Sequence, residues 1–349
     1  MPGPFLSSLL RIVLAVALIL GALFAVLVWQ FSMPGRSHSG PLPPLTADQA
    51  ATRDALHRHV VAIASRPHHV RQPEALAASV AYLESALRGL GYRVDSQFYE
   101  VEGVRVRNLE VVIVGSSRRG ETIVLGAHYD STGDGPGAND NGSGSAALLE
   151  LARLLRNEAP ARTLRLVWLV NEEPPYFQGD DMGSVRYARL ATSRRDERVV
   201  AMLSLETMGY YDDAPGSQRY PHKLMRWFYP DAGNFIAFLG NWKSRDLVRD
   251  SIAAFRAAVP FPSQGLALPD DVSALQPLSE PLGYSDHWSF WQVGVPALMV
   301  TDTAFKRYAH YHTANDTPDR IDYDRLARVT HGLVPVVQAL AAAEAAPSR

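Results

Sequence analysis

Between Thr122 and Val300 the chain alternates short, largely apolar runs with stretches of helical periodicity. That alternation constrains the fold more than any other feature. Thr122–Ala127 is a short apolar run typical of a buried strand, and Thr163–Val170, Val199–Leu205 and Val295–Val300 read as further strands. Such runs are strands covered on both faces. Gly144–Leu155, Met182–Ala191 and Ser244–Ala258 have helical spacing, and Tyr323–Ala346 reads as a long closing helix. Strands alternating with helices build an α/β fold, with a central mixed, largely parallel sheet flanked by helices on both faces.

Local signals extend this reading upstream. Thr46 with Gln49 three residues on is a capping box opening a helix whose stripe is Leu56, Val60 and Ile63. Pro73 starts a second helix carrying Leu76, Val80, Leu83 and Leu87, which stops at Gly89 or Gly91. Arg93–Val101 and Val104–Val114 form a hairpin turning at Glu102-Gly103. Tyr210–Tyr284 is rich in aromatics, Pro and Gly, and reads as the Ser244–Ala258 helix with elaborated loops around it. Its rings either fill core or line an apolar pocket.

Residues 12–28 carry no charged or strongly polar side chain, and Trp29 and Phe31 follow. A helix over 12–31 is roughly 30 Å long at about 1.5 Å per residue, the thickness of a hydrocarbon core. We expect a short tail (1–11), a transmembrane signal-anchor helix (12–31), a linker (32–45) stiffened by Pro41, Pro43 and Pro44, and one domain over 46–349. The apolar run exceeds an ordinary signal-peptide core, although Ser37-His38-Ser39 offers a cleavable triplet. Either way the body of the protein is expected outside the cytoplasm, periplasmic or extracellular.

The 36 acids nearly balance the 34 Lys and Arg, giving a net charge of -2, so nucleic acid is a poor partner. The chain has no cysteine, which removes disulfides, thiol nucleophiles and Cys-held metals. Any metal must be held by His and carboxylates.

The buried strands end in polar clusters. These are His128-Tyr129-Asp130, Asp140 within Gly137-Ala-Asn-Asp-Asn-Gly-Ser-Gly144, Glu172-Glu173 and Glu206, followed by Ser285-Asp286-His287 and Tyr311-His312-Thr313. Each alone reads as a turn, a cap or a solvated strand end. Together, delivered to the carboxyl ends of one sheet, they form a His and carboxylate set suited to dications. Without a cation such carboxylates raise one another's pKa.

These motifs, with Glu172-Glu173 leading to Met182-Gly183-Ser184 and His312 leading to Thr317-Pro318, resemble peptidase family M28, the co-catalytic dizinc aminopeptidases and carboxypeptidases. The resemblance covers roughly Arg66 to the C-terminus and implies a zinc-dependent exopeptidase, most simply an aminopeptidase, acting on peptides. It implies two zinc ions, with manganese or cobalt as alternatives. By motif, His128 and Glu206 serve the first ion, Glu173 and His312 the second, and Asp140 bridges both. Glu172 is the implied general base, and Asp130 orients His128. Glu206 stands where better-known members carry Asp. Pro174-Pro175-Tyr176-Phe177 replaces a Gly-rich form and is expected to reshape a pocket wall. Tyr311, Tyr284, Asp286 and His287 are candidates for substrate, oxyanion or supporting roles. Two alternatives stay open: a glutaminyl-cyclase-like acyltransferase and a non-catalytic binding ectodomain on the same fold. The sequence carries no sign of oligomeric state.

Overall fold

A computed structural model describes residues 4–269 and 279–342. The amino-terminal helix α1 is Pro4–Phe31. Most of the expected tail is therefore helical, and residues 1–3 lie outside the described residues. α2 (Ala47–Ile63) opens on the Thr46–Gln49 capping box with both reciprocal bonds formed. α3 (Pro73–Gly89) has Pro73 in its first turn. β1 (Asp95–Val101) and β2 (Val104–Ile113) form the hairpin, with Glu102 and Gly103 both at positive φ. That backbone matches the twist of the paired strands.

β3 (Arg118–His128), α4 (Gly144–Leu155), β4 (Arg162–Leu169), α5 (Gly183–Ser193) and β5 (Arg198–Glu206) follow. Next come β6 (Ile236–Asn241), α6 (Arg245–Ala258), β7 (Ser263–Leu268), α7 (His287–Gln292), β8 (Ala297–Thr301) and α8 (Tyr323–Ala342). The last residues of the expected closing helix, 343–346, lie outside the described residues.

Among the described residues eight strands form one sheet, ordered β1-β2-β4-β3-β5-β8-β6-β7. β4, β3, β5 and β8 run parallel. The β1–β2 hairpin joins β4 antiparallel, and β6 joins β8 antiparallel. The sheet is mixed with a parallel centre, as expected. The aromatic-rich segment differs from expectation: instead of loops around one helix it contributes β6 and β7, parallel to each other.

The strands bury both faces. Ile123, Leu125, Leu166, Trp168, Ala201 and Leu203 pack in the core with α2, α3, α4, α6 and α8. The alternate residues Val124, Val167, Leu169 and Met202 pack with Tyr187 and Ala188 of α5 and Phe290 of α7. Period-two side-chain alternation thus feeds two apolar layers.

The expected linker is tied to the domain. The Arg256 guanidinium donates to the carbonyls of Met33, Pro34 and Gly35 at 2.9–3.3 Å. Ser263 N–H donates to Ser37 Oγ at 2.9 Å, and Arg328 donates to Pro43 O. This strap covers β7, an edge strand that would otherwise expose unpaired backbone groups.

Candidate metal centre

Strand register explains how distant motifs meet. β3 and β5 are parallel with Gly126 opposite Ser204, so His128 and Glu206 stand level, two residues further on. β3 and β4 place His128 opposite Leu169, and Glu172 and Glu173 follow just past that strand end. Asp140 enters from the turn before α4. That turn lies close against β5: a Cβ on Gly144 would sit 2.3 Å from both Leu205 O and Asn141 Oδ1. Only glycine allows this approach.

The result is two groups of potential ligands sharing one residue. His128, Asp140 and Glu206 form one, and Asp140, Glu173 and His312 the other, with the ligand atoms of each within 4.8 Å of one another. His128 Nε2 lies 3.3 Å from Asp140 Oδ1 and 3.3 Å from Glu206 Oε2. His312 Nε2 lies 2.9 Å from Asp140 Oδ2 and 3.2 Å from Glu173 Oε2. Yet His128 Nε2, His312 Nε2, Asp140 Oδ2 and Glu173 Oε1 are buried atoms without a hydrogen-bond partner of acceptable geometry. Buried polar atoms left so are rare and costly. Imidazole nitrogens and carboxylate oxygens converging in this way fit zinc.

Electrostatics point the same way. With no cation between them, burial drives Glu206 up to about 8 and Glu173 up to about 7, with the charge of Asp140 adding to both. Burial also pushes Glu172 well above the usual carboxylate range. Burial opposes protonation of His128, but Glu206 and Glu172 outweigh it and raise its pKa. His312 rises to about 10, with burial again overcome by Asp140 and Glu173. Asp140 falls, because both imidazoles outweigh its burial. A dication would relieve the repulsion that protons otherwise must.

A supporting layer fixes the site. Asp130 accepts the backbone N–H groups of Glu172 and Glu173, one on each oxygen, both at 3.3 Å. Its Oδ1 lies 3.5 Å from His128 Nδ1, whose nearer acceptor is the Asp130 carbonyl at 3.1 Å. Sequence reasoning named Asp130 for His128 alone. It assigned nothing to Asp316, which accepts the N–H groups of Asn139 and Asp140 at 2.8 and 3.0 Å. Nor did it single out Ser285, whose hydroxyl donates to Glu206 Oε2 at 2.8 Å. Ser285 lies inside the Ser285-Asp286-His287 motif and Asp316 directly before Thr317-Pro318, the only signal for either. Asn171, Thr207 and His312 adopt positive φ, beside Glu172, beside Glu206 and at a ligand position itself. Non-glycine residues hold that conformation at a cost when the surroundings dictate it.

Two cavities open here. A polar cleft is walled by Glu172, Glu173, His312, Tyr311, Tyr284, Phe305, Pro174 and Phe177, which places the Pro-Pro-Tyr-Phe insertion in a wall as expected. An apolar cavity runs from Glu206 past Tyr311 and Tyr284 to Tyr220, Tyr229, Phe235 and Leu266. The aromatic segment thus divides: Tyr211 and Phe238 fill core while Tyr220, Tyr229 and Phe235 line the cavity. Tyr311 stacks on His312 at 3.8 Å and lines both spaces. Asp286 is buried with neither oxygen in a hydrogen bond of good geometry, and burial, partly offset by His128 and Ser184, raises it to about 6. His287 lies apart from both groups. Its Nε2 meets Leu282 O at 2.5 Å and its ring packs edge-on against Trp291; burial lowers it to about 4, so it is a neutral core residue.

A sequence model of peptidase family M28 matches residues 108–337. An uncharacterized protein of Escherichia coli, YfbL, is 38% identical over 270 residues, covering 75% of this chain and 80% of that protein. An aminopeptidase of Pseudomonas aeruginosa is 36% identical over 112 residues, 31% of this chain and only 20% of its own length. Among solved structures, the LapA aminopeptidase of Legionella pneumophila superposes with a TM-score of 0.64 at 20% identity, over 87% of this chain and 78% of that one. A glutaminyl cyclase of Fimbriiglobus ruber superposes with a TM-score of 0.60 at 19% identity, over 86% and 97%. Both share the fold.

Proposed function

The chain belongs to peptidase family M28, and from that premise we propose that it is a dizinc exopeptidase removing residues from the amino ends of peptides. The observation that carries the reading is the pair of ligand groups sharing Asp140, with four buried, unpartnered donor atoms facing inward. His128, Asp140 and Glu206 would hold one zinc and Asp140, Glu173 and His312 the other. Zinc held there would supply a Lewis acid for a peptide carbonyl and lower the pKa of a water toward neutrality.

The remaining steps belong to the protein. Glu172 projects its Oε2 to 3.8 Å from His128 Nε2 without joining either ligand group. It is the proton carrier, receiving a proton from water on that carboxylate and passing it to the departing amine. Asp130 holds the backbone of the Glu pair, so that carrier and ligand keep adjacent positions. Tyr311, which lines both cavities, would donate its hydroxyl to the carbonyl oxygen as charge builds there. The apolar cavity beside Glu206 takes the side chain next to the cleaved bond.

The glutaminyl cyclase fold match leaves the intramolecular acyl transfer as the competing reaction. Retention of both His ligands and Glu206, in two groups that share Asp140, favours two ions and hydrolysis. A binding-only ectodomain fits poorly with a ligand set complete at every matched position. We further propose that α1 is a retained membrane anchor with the domain outside the cytoplasm. The apolar span Arg11–Phe31 has the length to cross a bilayer. The strap following it is bonded into the fold, which favours retention over cleavage near Ser39. The test is metal analysis of the purified protein together with aminoacyl-nitroanilides and glutaminyl peptides as substrates. Two zinc equivalents with aminoacyl hydrolysis are expected. One equivalent with pyroglutamyl product would replace this reading by the cyclase.

A further inference from the structure

Where α1 ends, the domain begins at once. Phe31 stacks on Phe228 at 4.4 Å and meets Tyr229 edge-on at 6.0 Å. Arg245 lies 3.7 Å over the ring of Trp29, which in turn packs against Trp242 at 6.3 Å. Gln30 donates to Ala267 O of β7. The helix end is therefore bound to one flank of the domain.

On that flank a short turn, Lys223–Trp227, stands out with none of its residues buried. Trp227 is 79% exposed and Leu224 48%, and Trp242 beside Trp29 is 44% exposed. Lys223, Arg226 and Lys243 flank these apolar groups. Single exposed apolar residues need no explanation, but exposed Trp and Leu interleaved with cations are the composition of a membrane interface. The rings enter the headgroup boundary while Lys and Arg meet phosphate. Position makes the argument specific. Phe228, the residue after Trp227, touches the last residue of α1, so the turn sits at the level where that helix leaves the hydrocarbon.

We propose that the Lys223–Phe228 turn and Trp242 are seated in the surface of the same bilayer that α1 spans. This rests on α1 being a retained anchor. It has a consequence for the site. Met225 of the turn, with Tyr220 and Tyr229, lines the apolar cavity that ends at Glu206. One side of the turn faces lipid and the other walls the substrate space, so the cavity lies against the membrane surface. The substrates it suits are peptide ends held at that surface rather than peptides free in bulk water.

The absence of cysteine allows a direct test. Full-length protein carrying Leu224→Cys, Trp227→Cys, Leu20→Cys or Ser117→Cys, each labelled with a nitroxide, is reconstituted in phosphatidylethanolamine–phosphatidylglycerol vesicles. Relaxation by oxygen, which concentrates in lipid, is compared with relaxation by an aqueous nickel chelate. Zinc content is measured on the same samples, so that the catalytic reading is judged separately. Labels at 224 and 227 are expected to favour oxygen, as the label at 20 in α1 does, while the label at 117, just before β3, which three strands separate from the β7 edge that α1 meets, favours nickel. If 20 favours oxygen but 224 and 227 behave like 117, the seating is refuted and the anchor stands. If 20 itself favours nickel, anchor and seating both fall. Dipolar broadening at 224 that vanishes on dilution with unlabelled protein would mean that a second copy covers the turn, which also overturns the proposal.

Discussion

Replacing Asp130 by Asn separates two tasks that the side chain performs at once. Its two oxygens each accept a backbone N–H, from Glu172 and from Glu173. Asn keeps one acceptor and turns an amide donor toward the other N–H. One charge-assisted bond becomes neutral, and one buried donor loses its acceptor. A bond to a charged group is worth about 1.5–3 kcal/mol and an unsatisfied buried donor costs about 1–3 kcal/mol. The bonds here are long at 3.3 Å, which argues for the lower ends, so we expect a loss of about 2–4 kcal/mol. In a domain of this size that lowers the melting temperature by about 2 °C per kcal/mol.

Metal binding should respond unevenly. The His128 ring keeps its nearer partner, the residue-130 carbonyl at 3.1 Å, so the first site should be affected little. The backbone under Glu173 moves, and the second zinc should weaken by about 10–100-fold, the usual effect of losing a group that supports a ligand. Thermal unfolding and zinc titration monitored by a competing chelator measure both. Equal weakening of the two sites would assign Asp130 to His128 instead. Unchanged stability would show that the Glu172–Glu173 backbone is held by something else.

Glu172→Gln should retain both zincs and lose about two to four orders of magnitude in kcat, read by steady-state assay with metal analysis. Asp140→Ala should lose both ions together, whereas His312→Ala should weaken chiefly the second, as equilibrium dialysis would show. The metal-free protein should be less stable at pH 8 than at pH 5. Glu206 and Glu173 have folded pKa values of about 8 and 7 against an ordinary 4.5, so the fold binds more protons than the unfolded chain in that window. His312, raised to about 10, contributes stability that is full below 6.5 and declines as pH rises, in the same direction. The zinc-loaded protein should show the opposite trend, because its ligands must be deprotonated. Urea unfolding at several pH values, with and without chelator, decides this.

The parallel centre of the sheet, the capping box and the hairpin were legible because each has a local cause: an apolar run, a paired side chain, a Glu-Gly turn. The meeting of the His and carboxylate clusters was legible because strand ends in such a sheet converge, whereas the sharing of Asp140 came only from the family resemblance. β6 and β7 were not. Each is six residues long and holds a glycine, which weakens any strand pattern. The glycines answer to tertiary contacts invisible in sequence: a Cβ on Gly240 would meet Val248 of α6 at 2.8 Å, and one on Gly265 would meet Met33 of the strap at 2.9 Å. Asp316 was hidden for a similar reason, since Asn-Asp-Thr-Pro reads as an ordinary turn until the chain brings it under Asp140.

Glu206 is where sequence and geometry together say more than either alone. Its extra methylene, relative to the Asp of better-known relatives, adds a rotatable bond whose freedom must be lost to hold a ligand atom in place. The structure accounts for that loss. Ser285 Oγ and Asn141 Nδ2 donate to the same Oε2, at 2.8 and 3.4 Å, and Ser204 Oγ lies 2.9 Å from Ser285 Oγ. Asn141 also accepts the N–H of Thr207 at 3.1 Å, fixing the backbone just past Glu206. The long arm is thus clamped at its tip and at its base. Glu206 also lines the apolar cavity. In the proposed reading the same carboxylate therefore serves both the first ion and the substrate space.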